Sequence, residues 1–350
     1  MRLLILTQKI NKSDPILGFF HNWVLKLSEK FESIIVVCLQ KGEYDLPSNV
    51  KVFSLGKEEG RSKLKYIFKF FHLCFFSSFK YDAVFVHMNQ EYVLLGGLFW
   101  KILNKKVFMW RNHHYGNILT RVAVLLSSKV FCTSDKAFTK RFAKTILMPV
   151  GIDTDKFSIF KFQFSNQEKK NKILFLSRIS PIKRSDLLIE ALNNLKDKNI
   201  NFICDFYGEA LPKDKEYFEN LKNKVKEYDL QNNVKFYGAV PNYETPKIYS
   251  EHDIFVNLTP SGSMDKTILE AASSGCIPIV VNDYFKDIFE PEMIVSESPS
   301  DLSTKIEFWL NADLEKIEKV KKRLQKYVSE NHSLDVLIDK LVIIFNKNDK

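Results

Sequence analysis

The 350-residue chain is poor in cysteine and glycine and lacks a long apolar run. Its five cysteines, none of them in a C-x-x-C pair, are Cys38, Cys74, Cys132, Cys204 and Cys276. An odd number of isolated cysteines argues against a disulfide framework or a zinc site, and favours reduced thiols in a cytoplasmic protein. No run of about 18 apolar residues occurs, so we expect no segment to span a membrane.

Three motifs of nucleotide and nucleophile chemistry are also missing. The sequence has no G-x-S-x-G turn, no G-x-x-x-x-G-K-[ST] loop and no G-x-G-x-x-G loop. These motifs place a catalytic serine, a nucleotide triphosphate and a dinucleotide, respectively. Their absence argues against a lipase, a P-loop ATPase and a hydride-transfer enzyme.

What is present is typical of an ordered protein with an anionic partner. Hydrophobic residues make up 45% of the chain and charged residues 27%, with 52 Lys and Arg against 42 Asp and Glu. The length predicts two domains, each able to bury its own core. The net charge of +10 predicts an anionic partner, which composition alone leaves open between nucleotide phosphate, nucleic acid and anionic lipid.

One segment, Arg61–Phe76, mixes cations with aromatic residues. This composition is found in helices that lie in a membrane interface, and it also suits a helix that packs on a core and leaves a basic stripe in water. Both interpretations stay open. The predicted location is therefore cytoplasmic, and under the first interpretation the protein also contacts the inner face of the membrane.

Short apolar runs alternate with helical patterns along the chain. Such alternation predicts α/β architecture with parallel sheets covered on both faces. The rhythm breaks near Met148–Asp153 and restarts at Ile173. We therefore predict two doubly wound, Rossmann-like domains facing each other across a cleft, with ligands at the carboxyl ends of the strands. The predicted domains are 1–150, 151–325 and a C-terminal helix, 326–350, that returns to the first domain.

Two cations follow the predicted strand Ile173–Leu176. Arg178 and Lys183 lie on the loop that precedes the next helix. A planar guanidinium and a compact ammonium at a strand end suit a diphosphate. The alternative is a pair of solvated loop cations.

A second pattern lies in Thr259–Pro278, where a strand leads through small residues into a helix that carries Glu270. A helix N-terminus offers unpaired N–H groups to an anion. A carboxylate one turn inside can accept hydrogen bonds from a ribose diol. The alternative is an acidic residue that only favours the helix dipole.

Taken together, Arg178-x4-Lys183, Tyr207-Gly208, Val234–Gly238 and Pro260–Pro278 resemble the retaining GT-B glycosyltransferases of family 4. The segment Met148–Phe157 is similar to the interdomain segment of that family, with Val150 in place of Asn. The resemblance runs from about residue 130 to residue 280. It implies that Arg178 and Lys183 hold the donor diphosphate and that Glu270 binds the ribose.

The resemblance also implies a wider donor site, with the first-strand loop near the phosphates. The donor-binding residues predicted in this way are Gly18, Arg178, Lys183, Gly208, Val240, Gly262, Ser263, Met264, Asp265, Lys266, Thr267 and Glu270. One departure stands out, because Gly262 occupies the position of a first family Glu. We expect Asp265 to supply a carboxylate to sugar hydroxyls instead, and Lys266 to add a phosphate contact.

The pair Asp153-x-Asp155 imitates the metal-binding D-x-D of the GT-A fold, but it follows the interdomain segment. The GT-B class needs no metal, because cations and helix N-termini stabilise the leaving diphosphate. We therefore expect no metal and no cofactor apart from the nucleotide sugar.

Histidines mark the predicted acceptor side. His113 and His114 follow the strand Lys106–Trp110, while His87 and Asn89 follow the strand before it. In related transferases a histidine in this region contacts the transferred sugar or the acceptor. We predict acceptor binding by these four residues, with His113 also counted, beside Arg178 and Lys183, among the catalytic groups.

The sequence thus predicts retaining transfer of a sugar from a nucleotide diphosphate to an acceptor hydroxyl, in surface glycan or lipid-linked oligosaccharide synthesis. UDP is the favoured nucleotide and GDP the alternative. A non-catalytic scaffold that binds a sugar nucleotide and a sugar-nucleotide epimerase remain as other readings. Nucleic acid is excluded as a partner because the cations are spread along the chain without a recognition motif.

Overall fold

The structure, a computed structural model, describes residues 1–76, 80–158, 171–260 and 264–347. The chain divides into two compact units. Unit 1 contains Met1–Gly151 and the C-terminal residues from Leu334, and unit 2 contains most of the chain from Ile152 to Ser333.

Unit 1 is an α/β unit built on a seven-stranded parallel sheet with the order β3-β2-β1-β4-β5-β6-β7. Its elements up to the division are β1 (Arg2–Ile10), α1 (Phe19–Ser28), β2 (Ser33–Lys41), β3 (Val50–Ser54), α2 (Lys63–Phe76), β4 (Ala83–His87), α3 (Gln90–Ile102), β5 (Lys106–Trp110), α4 (Ile118–Leu126), β6 (Lys129–Cys132) and β7 (Thr145–Leu147). A 3₁₀ helix, Phe138–Arg141, precedes β7.

Unit 2 is a smaller version of the same design, with a five-stranded parallel sheet in the order β10-β9-β8-β11-β12. Its elements are α5 (Thr154–Ser158), β8 (Lys172–Leu176), α6 (Ser185–Asp197), β9 (Ile203–Tyr207), α7 (Lys215–Glu227), β10 (Val234–Gly238), α8 (Thr245–Ser250), β11 (Ile254–Asn257), α9 (Lys266–Ser274), β12 (Ile277–Val280), α10 (Pro299–Asn311) and α11 (Leu314–His332). The last helix, α12 (Leu334–Asn346), belongs to unit 1.

Both faces of the unit 1 sheet are covered, because its central strands are apolar on both sides. In β4 all five residues are buried. One face packs against α1 and α12 around Trp23 and Phe345. The other face packs against α2, α3 and α4 around Phe70 and Trp100. Apolar side chains on both faces of a strand require a helical layer on each side, as predicted.

The division between the units follows a residue that has to be glycine. Gly151 has φ +77°, and a Cβ there would lie 2.4 Å from the Leu337 side chain and 3.1 Å from Trp23. The chain therefore passes close over the core of unit 1 as it leaves. At the other end, the predicted start of the returning helix, residue 326, falls inside α11. The chain re-enters unit 1 at Leu334 instead.

The strand–helix alternation matches the prediction with three additions. Helices α4 and α5 and strand β7 were not predicted. The segment Arg61–Phe76 forms α2 from Lys63 onward. None of the helices in the described residues has the length and apolar content to cross a bilayer.

Candidate functional site: a polar network in unit 2 and a pocket in unit 1

The sheet order of unit 2 reverses at β8, which pairs with β9 on one side and β11 on the other. Chain connections leave such a point in opposite directions, so the carboxyl ends of the two strands border a crevice. The loop after β8 carries Arg178 and Lys183, and the loop after β11 leads to α9. The fold thus brings the two predicted donor segments to one edge.

Lys183 connects the two loops. Its ammonium donates hydrogen bonds to Thr259 Oγ1 at 2.8 Å and to Asp265 Oδ2 at 3.3 Å. The Lys183 and Asp265 side chains are each 17% exposed, so water screens the ion pair only in part. An ammonium has three N–H groups, and within the described residues these two contacts occupy two of them.

Asp265 is saturated with donors. Its Oδ1 accepts from the Thr267 backbone N–H at 3.2 Å and the Thr267 hydroxyl at 2.8 Å, which caps α9. Its Oδ2 accepts from Asn257 Nδ2 at 3.1 Å as well as from Lys183. Burial raises the pKa of Asp265, but the Lys183 charge and these hydrogen bonds outweigh it and hold the pKa below its ordinary value.

This saturation corrects the expected role of Asp265. A carboxylate has about four lone-pair sites, and four protein donors occupy them here. The side chain therefore anchors Lys183 and the start of α9, and presents no free oxygen to sugar hydroxyls. Thr267 is likewise engaged, since its hydroxyl also accepts from Asn257 Nδ2 at 3.1 Å.

Glu270 lies one turn into α9 and is only 3% exposed. Lys266 Nζ is 3.5 Å from Glu270 Oε1 across that turn. Burial raises the pKa of Glu270, against the Lys266 charge, and burial lowers the pKa of Lys266, against the Glu270 charge. Burial also lowers the pKa of Lys156 of α5, whose charge acts on Glu270. Glu270 is thus a desolvated carboxylate between two cations.

Arg178 and Gly208 lie at the neighbouring strand ends. Arg178 is exposed and makes no ion pair with any described residue. Gly208, with φ +141°, follows β9, and a Cβ there would lie 1.8 Å from the carbonyl oxygen of Ser177. Only glycine lets these two loops approach so closely. Of the other predicted donor residues, Met264 is buried and Val240 is half-buried. Gly262 and Ser263 lie outside the described residues.

Unit 1 carries a pocket at the carboxyl ends of β4 and β5. It has a volume of about 470 Å³ and is lined by Met88, Asn89, Gln90, Glu91, Arg111, Asn112, His113 and His114. His113 and His114 are exposed, with ring centroids 5.5 Å apart. Arg111 Nη1 holds their loop by donating to the carbonyls of His113 at 3.3 Å and Tyr115 at 3.0 Å. Three of the four predicted acceptor residues therefore line one pocket.

His87, the fourth predicted acceptor residue, is not among them. It is 1% exposed, its ring stacks on Phe20 at 3.8 Å, and its Nδ1 is hydrogen-bonded to Thr7 Oγ1 at 3.2 Å. A residue inside β4 points into the sheet packing, whereas residues beyond the strand end face solvent. The expectation that His87 lines the site is thus corrected. The next residue, Met88, has φ +72°, a conformation rare for a side-chain-bearing residue and often found at functional sites.

Gly18 is the N-cap residue that precedes α1, and it is buried. Its N–H donates to the Asp14 carbonyl at 3.0 Å. The Asp14 carboxylate, paired with Lys9 at 2.6 Å, accepts the N–H groups of Ile16 and Leu17. The first-strand loop is therefore ordered by its own hydrogen bonds. Its expected contact with donor phosphates stays a prediction.

Sequence analysis missed Asn257, Thr259 and Lys156. Polar residues at the end of an apolar strand were the available signal for Asn257 and Thr259, and Lys156 lies within the quoted interdomain segment. Asp153 and Asp155 belong to no metal-type group of three or more His, Cys, Asp or Glu residues in the described ranges. That a metal is not needed remains a prediction.

In a comparison with known protein families, residues 156–328 match the family "Glycosyl transferases group 1". That range contains Lys156, the Lys183–Asp265 network and Glu270. No curated protein matches the chain.

Solved structures match over nearly the whole length. Anabaena Alr3699/HepE, solved with UDP, is 17% identical, with 98% of this chain and 99% of that one covered and a TM-score of 0.75. HepE was also solved with UDP-glucose. A glycosyltransferase from Rickettsia africae is 16% identical, with 99% of both chains covered and a TM-score of 0.75. WaaG, a glycosyltransferase involved in lipopolysaccharide biosynthesis, is 16% identical, with 99% and 100% covered and a TM-score of 0.66. At these identities the matches show the fold, two Rossmann-like domains of GT-B type.

Proposed function

Because residues 156–328 match the family "Glycosyl transferases group 1", we propose that this chain is a retaining, metal-independent glycosyltransferase of family 4 type. It moves a sugar from UDP to an acceptor hydroxyl. The observation that carries the proposal is the meeting of Lys183, the start of α9 and buried Glu270 at the point where the unit 2 sheet order reverses.

The donor diphosphate binds the loop cations in this proposal. Within the described residues, Lys183 has one N–H beyond those given to Thr259 and Asp265, and Arg178 extends an exposed guanidinium from the same loop. An ammonium fixed at a point and a planar fork together match a diphosphate. The N-terminus of α9 adds the positive end of a helix dipole.

Glu270 accepts hydrogen bonds from the ribose diol. The Glu270 side chain is only 3% exposed, and a buried carboxylate is unfavourable unless hydrogen-bond donors or cations surround it. Lys266 and Lys156 supply charge in the free protein, and two ribose hydroxyls add hydrogen bonds in the complex. The site therefore favours a nucleoside diphosphate over a bare phosphate.

Transfer proceeds by exchange of one bond at the anomeric carbon. The bond from that carbon to the β-phosphate oxygen breaks, and a bond to the acceptor oxygen forms on the same face. The acceptor proton passes to a phosphate oxygen, so the products are a glycoside and UDP. Arg178 and Lys183 stabilise the negative charge that develops on the leaving diphosphate. No enzymic nucleophile is required.

The acceptor binds the unit 1 pocket in this proposal. His113, His114 and Asn89 offer exposed or half-buried polar atoms to hydroxyl groups. UDP is preferred over GDP because HepE, of the same fold, was solved with UDP and UDP-glucose. We propose that the sugar and the acceptor belong to surface glycan or lipid-linked oligosaccharide synthesis.

The proposal is tested by ligand-induced thermal shifts with UDP, UDP-glucose, GDP and ADP. A ligand at 100 times its dissociation constant adds about 2.7 kcal/mol of stability. We expect UDP to give the largest shift in the wild type and in Lys222→Met, a surface lysine control in unit 2, and Lys183→Met to lose it. Equal UDP shifts in all three proteins would contradict the donor assignment. The anomeric configuration of the sugar product, read by NMR, tests retention.

A second candidate is a GT-B scaffold that binds a sugar nucleotide without turning it over. Gly262 favours it, since the resemblance has a Glu at that position. UDP-glucose binding with no release of UDP, over a broad panel of acceptors, would support this candidate and contradict transfer.

A further inference from the structure

Three helices form the outer layer on one face of the unit 1 sheet. Helices α2, α3 and α4 share one core cluster with that face. The Phe75 ring of α2 stacks on Phe99 of α3 at 3.6 Å, and a Cβ on Gly97 of α3 would lie 2.9 Å from Leu126 of α4. The helices therefore lie side by side, with α3 in the middle.

The outward sides of all three helices are apolar. The exposed large apolar residues are Leu64, Ile67 and Phe68 on α2, Leu95, Leu98 and Ile102 on α3, and Ile118, Leu119, Val122 and Leu125 on α4. Phe68 is 78% exposed and Ile102 is 74% exposed. On α3 the spacing is three and four residues, which makes one continuous stripe along the helix. Single exposed apolar residues are ordinary, but a set on three adjacent helices marks an interaction surface.

The charge of the same layer is almost entirely positive. Segments 61–76 and 90–129 contain ten Lys and Arg residues and one acidic residue, Glu91. Of these cations, Lys63, Lys65, Lys101 and Arg121 are exposed on the three helices or directly at their ends. Long cationic side chains beside an apolar stripe are typical of helices that lie in the headgroup region of a bilayer.

The opposite helical layer of unit 1 shows the contrast. Helices α1 and α12 expose only Leu25 and Ile343 as large apolar residues within the described chain. They carry mixed charges that pair across the layer, Lys26 with Asp335 at 3.0 Å and Lys30 with Asp339 at 3.6 Å. The apolar and basic character therefore belongs to one layer and is not a property of the composition as a whole.

We propose that the layer of α2, α3 and α4 docks on the surface of a bilayer that contains anionic lipids. The apolar stripes enter the boundary between headgroups and acyl chains, and the cations contact lipid phosphates. An anionic bilayer is complementary to both the apolar stripes and the positive charge of this layer. A second copy of this chain would instead bring two positive layers together. The inference rests on unit 1 alone and stands apart from the donor site in unit 2.

The test is flotation of the full chain with vesicles of phosphatidylcholine, with and without 30% phosphatidylglycerol as a rough working content of anionic lipid. Two double variants remove apolar contacts, Leu98→Ser with Ile102→Ser and Leu64→Ser with Phe68→Ser. A third, Lys65→Gln with Arg121→Gln, removes charge. Matched controls are Ile343→Ser, which is 66% exposed on the opposite layer, and Lys319→Gln on α11 of unit 2. Circular dichroism and UDP-induced thermal shifts verify folding of each protein.

We expect the wild type to float with anionic vesicles and to bind neutral ones at least about tenfold more weakly. Each double variant loses about tenfold or more in affinity, while both controls keep the wild-type value. Three outcomes overturn the proposal. In the first, the folded wild type does not bind vesicles. In the second, the double variants bind vesicles as well as their controls do. In the third, the wild type is a dimer that the double variants convert to monomer, and no protein floats with vesicles.

Discussion

The two units share one topology and differ at the point where the strand order reverses. In unit 1, β1 and β4 are joined by a buried hydrogen bond between Thr7 and His87, and the ring of Phe20 lies over the histidine. In unit 2, the ends of β8 and β11 are joined by an ion pair, Lys183 with Asp265. The same strand order thus carries a buried side-chain hydrogen bond in one unit and a charged crevice in the other, so sheet order alone does not set the chemistry at this point.

This difference predicts that changes in unit 2 affect chemistry, whereas equivalent changes in unit 1 affect stability. The largest effect is expected for Lys183→Met. Loss of one preorganised charge at a developing anion costs about 10²–10³ in rate. We expect the release of UDP from UDP-glucose to fall by that factor in kcat/KM, and the melting temperature to fall as well because Asp265 loses its paired cation. A variant with wild-type turnover would remove Lys183 from the catalytic groups.

The matching change in unit 1 is His87→Ala. Removal of a ring that is stacked and fully buried leaves a cavity, and we expect about 2–4 kcal/mol less stability. Urea unfolding measures this loss, while calorimetry is expected to give an unchanged dissociation constant for UDP. Weakened UDP binding with normal stability would contradict the division between the two units.

Asp265→Asn separates the anchoring charge from the helix cap. Asn caps a helix about as well as Asp, so α9 is expected to persist. The ion pair with Lys183 is lost, and we expect about tenfold lower kcat/KM because the ammonium is less well fixed. If Asp265 acted only as a cap, Asp265→Asn would be as active as the wild type.

The same variant predicts a pH dependence. Since the folded pKa of Asp265 lies below its ordinary value, its ionised form stabilises the protein above about pH 3.9. That stability is lost as the pH falls through the lower, folded pKa. The difference in melting temperature between wild type and Asp265→Asn is therefore expected to be largest near neutral pH and to shrink below about pH 4. A constant difference would contradict the ion pair.

The smallest effect is expected in the unit 1 pocket. His113→Ala and His114→Ala each remove an exposed ring, so stability is expected to change by less than about 0.5 kcal/mol. If the pocket holds the acceptor, KM for the acceptor rises while UDP binding stays constant. Lower UDP affinity in both variants would assign the pocket to the donor instead.

Much of the architecture was predictable, because buried parallel strands read as short apolar runs between helical patterns. The bounds of β5 equal those of the predicted strand Lys106–Trp110, and β8 begins one residue before the predicted strand Ile173–Leu176. Strand β7 was missed because a three-residue strand, Thr145–Leu147, carries almost no pattern. Helix α4 was missed because its apolar residues run along both the core side and the outward side.

The site was predictable in its residue types and less so in their contacts. Arg178, Lys183 and Glu270 were singled out because charged residues follow apolar strands in these segments and because the segments resemble family 4, and their roles stay predictions. That four donors would surround Asp265 depends on Asn257, which lies eight residues earlier on a strand. The burial of His87 depends on Phe20 of a distant helix. Such long-range packing leaves no local signal in one sequence.

The central claim is that the charged crevice of unit 2 binds the donor diphosphate. Hydrogen–deuterium exchange with and without UDP tests it on the unaltered protein. We predict slower exchange in residues 177–184, which follow the carboxyl end of β8, and in residues 264–270, which include the start of α9. An unchanged rate in both segments, with UDP bound at saturation, would contradict the claim.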